Sequence, residues 1–497
     1  MHVTRQISRR AVLKATGAAT GAAVGGVGIA TAVGAAPAAA AGTSYAHPGL
    51  LHTRTDLSRM AAKVKAGAAP YAAGYARLTA NRHAQSSWTA NPQDIVYRGG
   101  TSPQNYPTLY NDVHAAYQNA LRYHVGGDSA HADTAVAILN AWSAKLTAVQ
   151  GSADRFLLAG LQGYQAANAA ELVRDHGDFD LGRFQEMQSK VFGAVSDAFL
   201  AHHNGAFVTN YWPNWDLANM ACVLATGILC DDRAQVTRAV DYFKHGAGLG
   251  AVKNAIPVVH DDGLAEWLEA GRDQGHSLLG VGLMGSLCEM AWNQGIDLYG
   301  YDDSRFLKGA QYVAKWSLGG KVSYTSNTRQ KGAPGVWSGS ETATAAGGVD
   351  PNMQRPIWAM IASHYTKRRG VSATYLTQIA ARSAPEGGGG DYGPNSGGFD
   401  QLGFGTLAFT RDKSATPTAA PTPGAPGAAS ASGGGSDPRP QTAATASASA
   451  SPTAGGDLAA TGSEDVIGWT AAAGVTAVAG GLLLLRRRDR VRRDGAQ

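Results

Sequence analysis

Arg272 and His276 stand four residues apart in the run Glu269-Ala270-Gly271-Arg272-Asp273-Gln274-Gly275-His276. On a helix this spacing puts both side chains on one face. A guanidinium placed there can neutralise an anion, and an imidazole beside it can move a proton. Asn214, which opens the apolar segment beginning Asn214-Trp215, adds an amide donor. Each has an ordinary explanation when taken singly, since Asn is a good helix N-cap and a histidine on an apolar helix is often a satisfied core residue. Together they point to proton transfer beside a bound anion. His260-Asp261-Asp262 lacks a second ligand cluster at zinc spacing, and the Gly387 to Gly390 run lacks the Lys-Ser/Thr of a phosphate loop, so neither metal nor cofactor is expected.

The elements that position these residues are helical. Residues 50 to 382 show almost no strand alternation but repeated helical periodicity, punctuated by Gly, Asp-Asp or Pro. The pattern predicts helices over 55–66, 69–81, 109–124, 129–147, 155–174, 182–202, 214–230, 233–246, 264–293, 303–317, 354–369 and 372–382. Segments such as 214–230 and 276–292 are apolar on every side and should be buried all round, whereas 233–246 and 303–317 carry charge on one face. Apolar inner helices alternating with amphipathic outer ones give an all-α fold, an incomplete (α/α) toroid of about six helical hairpins. A Gly-rich loop and short strand over 387–411 would close it. In a toroid the inner helices run parallel, so the loops near 97–110, 203–214, 250–272 and 318–354 meet at one mouth. Polar and aromatic residues concentrate there, including Tyr106, Tyr211, Trp212, His260, Tyr324, Arg329 and Trp337.

Asn214-Trp215, the Arg-Asp-Gln-Gly-His run, Asp297-Leu298-Tyr299-Gly300-Tyr301, Arg355-Pro356 with His364-Tyr365, and Asn395-Ser396-Gly397 into Phe399-Asp400-Gln401-Leu402-Gly403 together resemble the alginate lyase superfamily of α/α-toroid polysaccharide lyases. The resemblance spans most of 90–410 and implies β-elimination on a uronic-acid polysaccharide of the alginate or glucuronan type. That chemistry removes the C5 proton beside a carboxylate. The proton becomes acidic enough only when close donors neutralise the carboxylate, a role open to Asn214 and Arg272. His276 is expected as the base, or as a shared base and neutraliser. For the acid protonating the leaving O4, Tyr324 is expected, with Tyr106 and Tyr211 as alternatives. Tyr299 and Tyr301 follow the helix that begins near Arg272 and so fall roughly 30 Å away, at the far mouth. Tyr106, Tyr211, Trp212, Arg329 and Arg355 are expected to contact the polysaccharide.

The ends of the chain read as addresses. Ser8-Arg9-Arg10-Ala11-Val12-Leu13-Lys14, a soft apolar run and Ala35 to Ala41 have the layout of a Tat signal peptide over 1–41. Lys413 to about Gly456 is Ala, Pro, Thr, Ser and Gly with almost no large apolar residue, which predicts a flexible linker over 413–457. Leu458-Ala459-Ala460-Thr461-Gly462, an apolar stretch 466–485 of bilayer length and an Arg-rich tail resemble a sortase sorting signal over 458–497. These features predict handling by the Tat translocase and a sortase, attachment to peptidoglycan and an extracellular, cell-wall-anchored domain over 42–412. Lys and Arg number 42 against 37 Asp and Glu, a formal charge of +5. The two ends hold all of that excess, leaving 42–461 near neutral, which excludes a generally basic nucleic-acid binder. Cys222, Cys230 and Cys288 read as free thiols.

Two other classes compete. An inverting glycoside hydrolase would need two carboxylates roughly 6.5–9.5 Å apart, for which Glu266, Glu269 and Asp302 are the candidates. A non-catalytic surface protein would bind polysaccharide through Trp212, Trp215 and Trp337.

Overall fold

In the computed structural model, residues 44–101, 103–336, 338–393 and 398–414 are described, so both terminal signals, the linker beyond Ser414, Trp337 and Asn395 to Gly397 lie outside the described residues. Among the described residues six helical hairpins follow one another. They are α1 (Arg54–Lys65) with α2 (Tyr71–Ala80), α3 (Tyr106–Gly126) with α4 (Ser129–Lys145), and α5 (Asp154–Leu172) with α6 (Leu181–Met187) and α7 (Ala194–His202). Then come α8 (Pro213–Leu229) with α9 (Arg233–His245), α11 (Gln274–Asn293) with α12 (Tyr301–Ser317), and α13 (Trp358–Ser363) with α14 (Thr374–Ser383); the short α10 (Val252–Ala255) lies between the fourth and fifth pairs. Helices α3, α5, α8 and α11 pack in sequence as inner staves, and α4, α7, α9 and α12 lean against them from outside. All residues of α8 and nearly all of α5 and α11 are buried, as their all-round apolar composition requires, whereas α9 buries only Val236, Ala239, Tyr242 and Phe243. The staves approach closely where side chains are absent: a Cβ on Gly160 of α5 would stand 2.7 Å from the backbone of Ala218 in α8.

Four local departures from the sequence pattern have physical causes. The segment 264–293 is not one helix, because Asp273 adopts an extended conformation and caps α11 by accepting from the His276 N–H; only a 3₁₀ turn, Leu268–Gly271, precedes it. The 182–202 and 354–369 helices each contain a π-helical turn, Gln188–Gly193 and His364–Arg368. Four short strands appear, with β1 (Ile95–Arg98) parallel to β2 (Ala148–Gly151) and β3 (Asn327–Gly332) antiparallel to β4 (Ser338–Ala343). The second pair has polar residues on both faces, so no alternation marks it; its register sets Arg329 opposite Glu341 and Thr328 opposite Thr342. The closing segment contains a Gly388–Gly403 bridge and the short α15 (Gly405–Ala408) rather than a strand. Cys222 and Cys288 are buried free thiols, and Cys230 is free and part-exposed.

Candidate active site

Three connections meet above the N-terminal ends of α8 and α11. The loop before α8 is sewn to β3, with the Phe207 N–H donating to Gly332 O at 2.9 Å and the Gly332 N–H donating to Asn210 Oδ1 at 2.7 Å. The loop after β4 joins the turn before α11 through Gly347 N–H to Ala270 O, and Gln274 exchanges two hydrogen bonds with the Asp350 backbone. The β1 end of the loop entering α3 is tied to the start of α5, where the Ser152 N–H donates to Arg98 O at 3.2 Å, and Arg155 of α5 in turn donates with Nη2 to Asn204 Oδ1 at 3.1 Å in the loop before α8. The loops before α8, before α11 and after α12 therefore converge, as the toroid argument requires.

The chemistry concentrates on α11. Asp273 accepts from the His276 N–H with Oδ1 at 2.8 Å and holds the His276 ring at Nδ1 with Oδ2 at 2.6 Å. This fixes the ring and directs Nε2 outward; among the described residues Nε2 has no hydrogen-bond partner, and the side chain is 14 % exposed. Burial raises the Asp273 carboxyl, but the ring hydrogen bond, charge and N–H of His276, with Arg272, outweigh it and hold the group at about 2. Arg272 lies just before the helix rather than on its face. Its Nη1 donates to Glu269 Oε1 at 3.1 Å, its Nε lies 3.6 Å from Asp273, and its side chain is 17 % exposed. A part-exposed imidazole and a half-engaged guanidinium thus flank the same Asp273 carboxylate.

Asn214 is placed differently from the expected carboxylate donor. It is the second residue of α8, behind Trp212 at the N-cap and Pro213, and it is fully buried. Its Nδ2 donates to Glu269 Oε1 at 2.5 Å and its backbone N–H to Glu269 Oε2 at 3.3 Å. Asn214 therefore acts on Arg272 through Glu269, a residue that the sequence pattern offered only as a hydrolase carboxylate. Glu269 is itself fully buried, and burial raises its carboxyl despite the opposing influence of Arg272, His276 and Asn214.

The remaining expected residues divide. Trp212 carries two guanidinium groups near its ring, Arg329 at 4.5 Å and Arg272 at 5.9 Å from its centre, and so braces Arg272 by cation–π contact. Arg329 is buried and donates to Asn210 O and Glu341. Tyr106 opens α3, part-buried beneath the Arg98 guanidinium. Three further expected residues have their polar groups engaged within the protein. Tyr324 is at the working mouth, but its hydroxyl donates to Leu268 O at 2.8 Å, and burial with Glu266 and Glu269 pushes it up to about 12. It packs beneath Gly271, where a Cβ would meet its hydroxyl at 2.2 Å. Tyr211 is buried against Trp215 and Phe199. Arg355 is 3 % exposed and engaged by Gly275 O at 2.8 Å and Asp400 at 3.0 Å, so its guanidinium faces the protein. Tyr299 is buried and donates to Gly285 O and Glu289, as its far position led one to expect.

The hydrolase carboxylates have other duties. Glu266 accepts from Thr325 N–H and Oγ1 and pairs with His260, Glu269 is enclosed as above, and Asp302 pairs with Arg305 and Lys253. The roles of Asp273 as cap and of Glu269 as partner of Arg272 are hidden by a continuous helical pattern over 264–293; the Asp-x-x-His spacing of an N-cap is the available signal.

A family model described as "Alginate lyase" matches residues 59–323. Three solved structures are similar at low identity. A histidine-to-alanine variant of alginate lyase A1-III in its apo form is 14 % identical, with 74 % of this chain and 98 % of that one covered at a TM-score of 0.42. Alginate lyase A1-III from Sphingomonas species A1 is 15 % identical, covering 54 % and 79 % at 0.36. An alginate lyase from Bacteroides ovatus is 15 % identical, covering 53 % and 82 % at 0.36. At these scores the structural likeness bears no weight beside the family model. No curated protein matches.

Proposed function

We infer that this chain, which belongs to the alginate lyase family and is a polysaccharide lyase, cleaves a uronic-acid polysaccharide of the alginate or glucuronan type by β-elimination. The observation that carries this reading is the Asp273–His276 pair, with Nε2 directed outward beside Arg272. The exposed part of the Arg272 guanidinium binds the uronate carboxylate at the cleavage site and stabilises the enolate that forms as H5 leaves. Trp212 and the Glu269–Asn214 pair hold that guanidinium in place. His276 Nε2 takes H5, and Asp273 stabilises the imidazolium that results. Electrons from the broken C5–H bond form the C4–C5 double bond and expel O4. With the Tyr324 hydroxyl engaged by Leu268 O, the His276 imidazolium is the group placed to return its proton to O4, a course that requires H5 and O4 on the same face of the sugar. Tyr106 and Trp212 line the approach, and the substrate is an anionic polysaccharide.

The terminal segments supply the setting. The twin-arginine leader and the Leu-Ala-Ala-Thr-Gly segment with its apolar and basic tail support export by the Tat translocase, attachment by a sortase to peptidoglycan, and action outside the cell. Incubation with alginate, glucuronan and glycosaminoglycans tests the reading. Growth of ultraviolet absorbance from unsaturated uronate on a polyuronate supports it. New reducing ends without that absorbance would show hydrolysis instead, and binding without either would make this a carbohydrate-binding protein.

A further inference from the structure

Glu269 presents an unusual arrangement for a site that must receive an anion. Arg272, the exposed cation of the mouth, already has an internal carboxylate on Nη1, and that carboxylate is sealed from solvent. The groups facing it are Asn214 from the start of α8, Arg272 and Asp273 from its own turn, His276 from α11, Arg329 from β3 and the Tyr324 hydroxyl from below, with Trp212 against the Arg272 guanidinium. Arg329 is paired with Glu341 and Asp273 with His276, which leaves Glu269 and Arg272 as a neutral couple. A uronate carboxylate arriving at Arg272 adds a second negative charge to that couple, one of the two in a place water cannot reach. Two buried or half-buried carboxylates sharing one cation do not both stay ionised; the enclosed one takes a proton.

The structure also provides a place for that proton. Asn214 Oδ1 is buried and has no hydrogen-bond partner among the described residues, while Nδ2 of the same amide faces Glu269. Half a turn of the amide exchanges donor for acceptor, so a protonated Glu269 can donate to Oδ1 as well as an ionised one accepts from Nδ2. Asn214 is an adaptor that satisfies Glu269 in either state.

Resting on the uronate reading above, we propose that Glu269 is a positioning residue and internal counter-ion of Arg272, and that binding of a uronate drives one proton from solvent onto its carboxyl, with the Asn214 amide turning to accept the new O–H. The charge balance is one substrate carboxylate and one proton taken up together, which leaves the mouth neutral before and after binding. Burial already raises the Glu269 carboxyl, in the direction that makes this uptake easy.

The sign of the pH effect follows. Where free Glu269 is ionised and bound Glu269 is protonated, binding weakens as pH rises, by up to about tenfold per unit. The test is isothermal titration of the intact His276→Ala protein with mannuronate, guluronate and glucuronate tetrasaccharides, in buffers of differing ionisation enthalpy, between pH 5 and 9. The His276→Ala background removes proton uptake by the imidazole. Uptake approaching one proton per site within that range is expected, and it should vanish in His276→Ala/Glu269→Gln while binding persists. Equal uptake in both proteins, or none in the first, overturns the proposal. If the double variant does not fold, His276→Ala/Asp273→Asn decides instead, because removing His276 also removes the group that holds the Asp273 carboxyl down: uptake that persists there is expected, and uptake lost there would assign the proton to Asp273 and overturn the proposal. Failure of every tetrasaccharide to bind would overturn the uronate reading itself, a result distinct from binding without proton uptake.

Discussion

The two ends of α11 both gather charge, and they treat it in opposite ways. Near the C-terminal end, Glu289 receives a two-pronged ion pair from Arg368 at 2.8 Å on each oxygen, a Tyr299 hydroxyl and a longer contact from Arg411. Arg411 and Arg59 each meet Asp56 at 2.5 Å, and Arg59 also donates to Ala408 O. The Asp56 carboxyl is pulled well below its usual range: burial opposes this, but Arg411 and Arg59 prevail. In that cluster each carboxylate is buried against at least one guanidinium, and the pairing ties Arg411 to α1 and α11. Roughly 20 Å along the helix, Arg272, Asp273, His276 and Glu269 form a similar network whose outer members keep unused capacity: a part-exposed guanidinium and an unpartnered Nε2. Completed networks hold a fold, and the incomplete one is where a ligand belongs.

Removing a member from each end should therefore have opposite consequences. Arg368→Ala leaves Glu289 buried without its main partner and should cost about 3–5 kcal/mol in urea unfolding, with the turnover of the folded fraction unchanged. Arg272→Lys keeps a cation beside the buried Glu269 and should change the unfolding midpoint little, while the loss of the guanidinium donor should lower kcat about 10²–10³-fold, as for loss of one transition-state donor. A stability loss at Arg272 equal to that at Arg368 would erase the distinction. Tyr324→Phe sharpens it within the site. It removes a hydrogen bond worth about 1 kcal/mol and should leave the rate within about threefold; a hundredfold loss would make the tyrosine the acid. Glu386 provides the smallest effect, a buried carboxyl with no cation. It accepts from Trp358 N–H and Ala359 N–H at the start of α13, and burial raises it to about 7 against an ordinary 4.5. Its contribution to stability is fully present below about 4.5 and is lost as pH rises through about 7, so Glu386→Gln should gain in melting temperature relative to the unaltered protein between pH 5 and 8. Equal melting temperatures at both values would contradict this.

The helical toroid was legible because all-round apolar segments such as 214–230 and one-faced segments such as 233–246 leave few packing solutions. Arg272 and His276 were legible from residue type and spacing. Their relation was not: an extended Asp273 separates them, and reading 264–293 as one helix hid both the cap and the Asp273–His276 hydrogen bond. The β3–β4 pair was invisible because neither face is apolar. Arg355 and Tyr324 sit where the topology put them, yet partners distant in sequence, Asp400 and Leu268, decide what their polar groups do. Spacing locates a residue on an element, but the availability of its polar atoms depends on long-range contacts.

The central claim is that His276 Nε2, held by Asp273, takes the proton whose loss starts cleavage. It is tested most directly by following unsaturated-uronate absorbance on the preferred polyuronate for the unaltered protein and for His276→Ala, with matched circular dichroism and melting temperature. A fall of about 10²–10⁴-fold in kcat is expected for loss of a positioned general base. Cleavage by His276→Ala within threefold of the unaltered rate, giving the same unsaturated product, would contradict it.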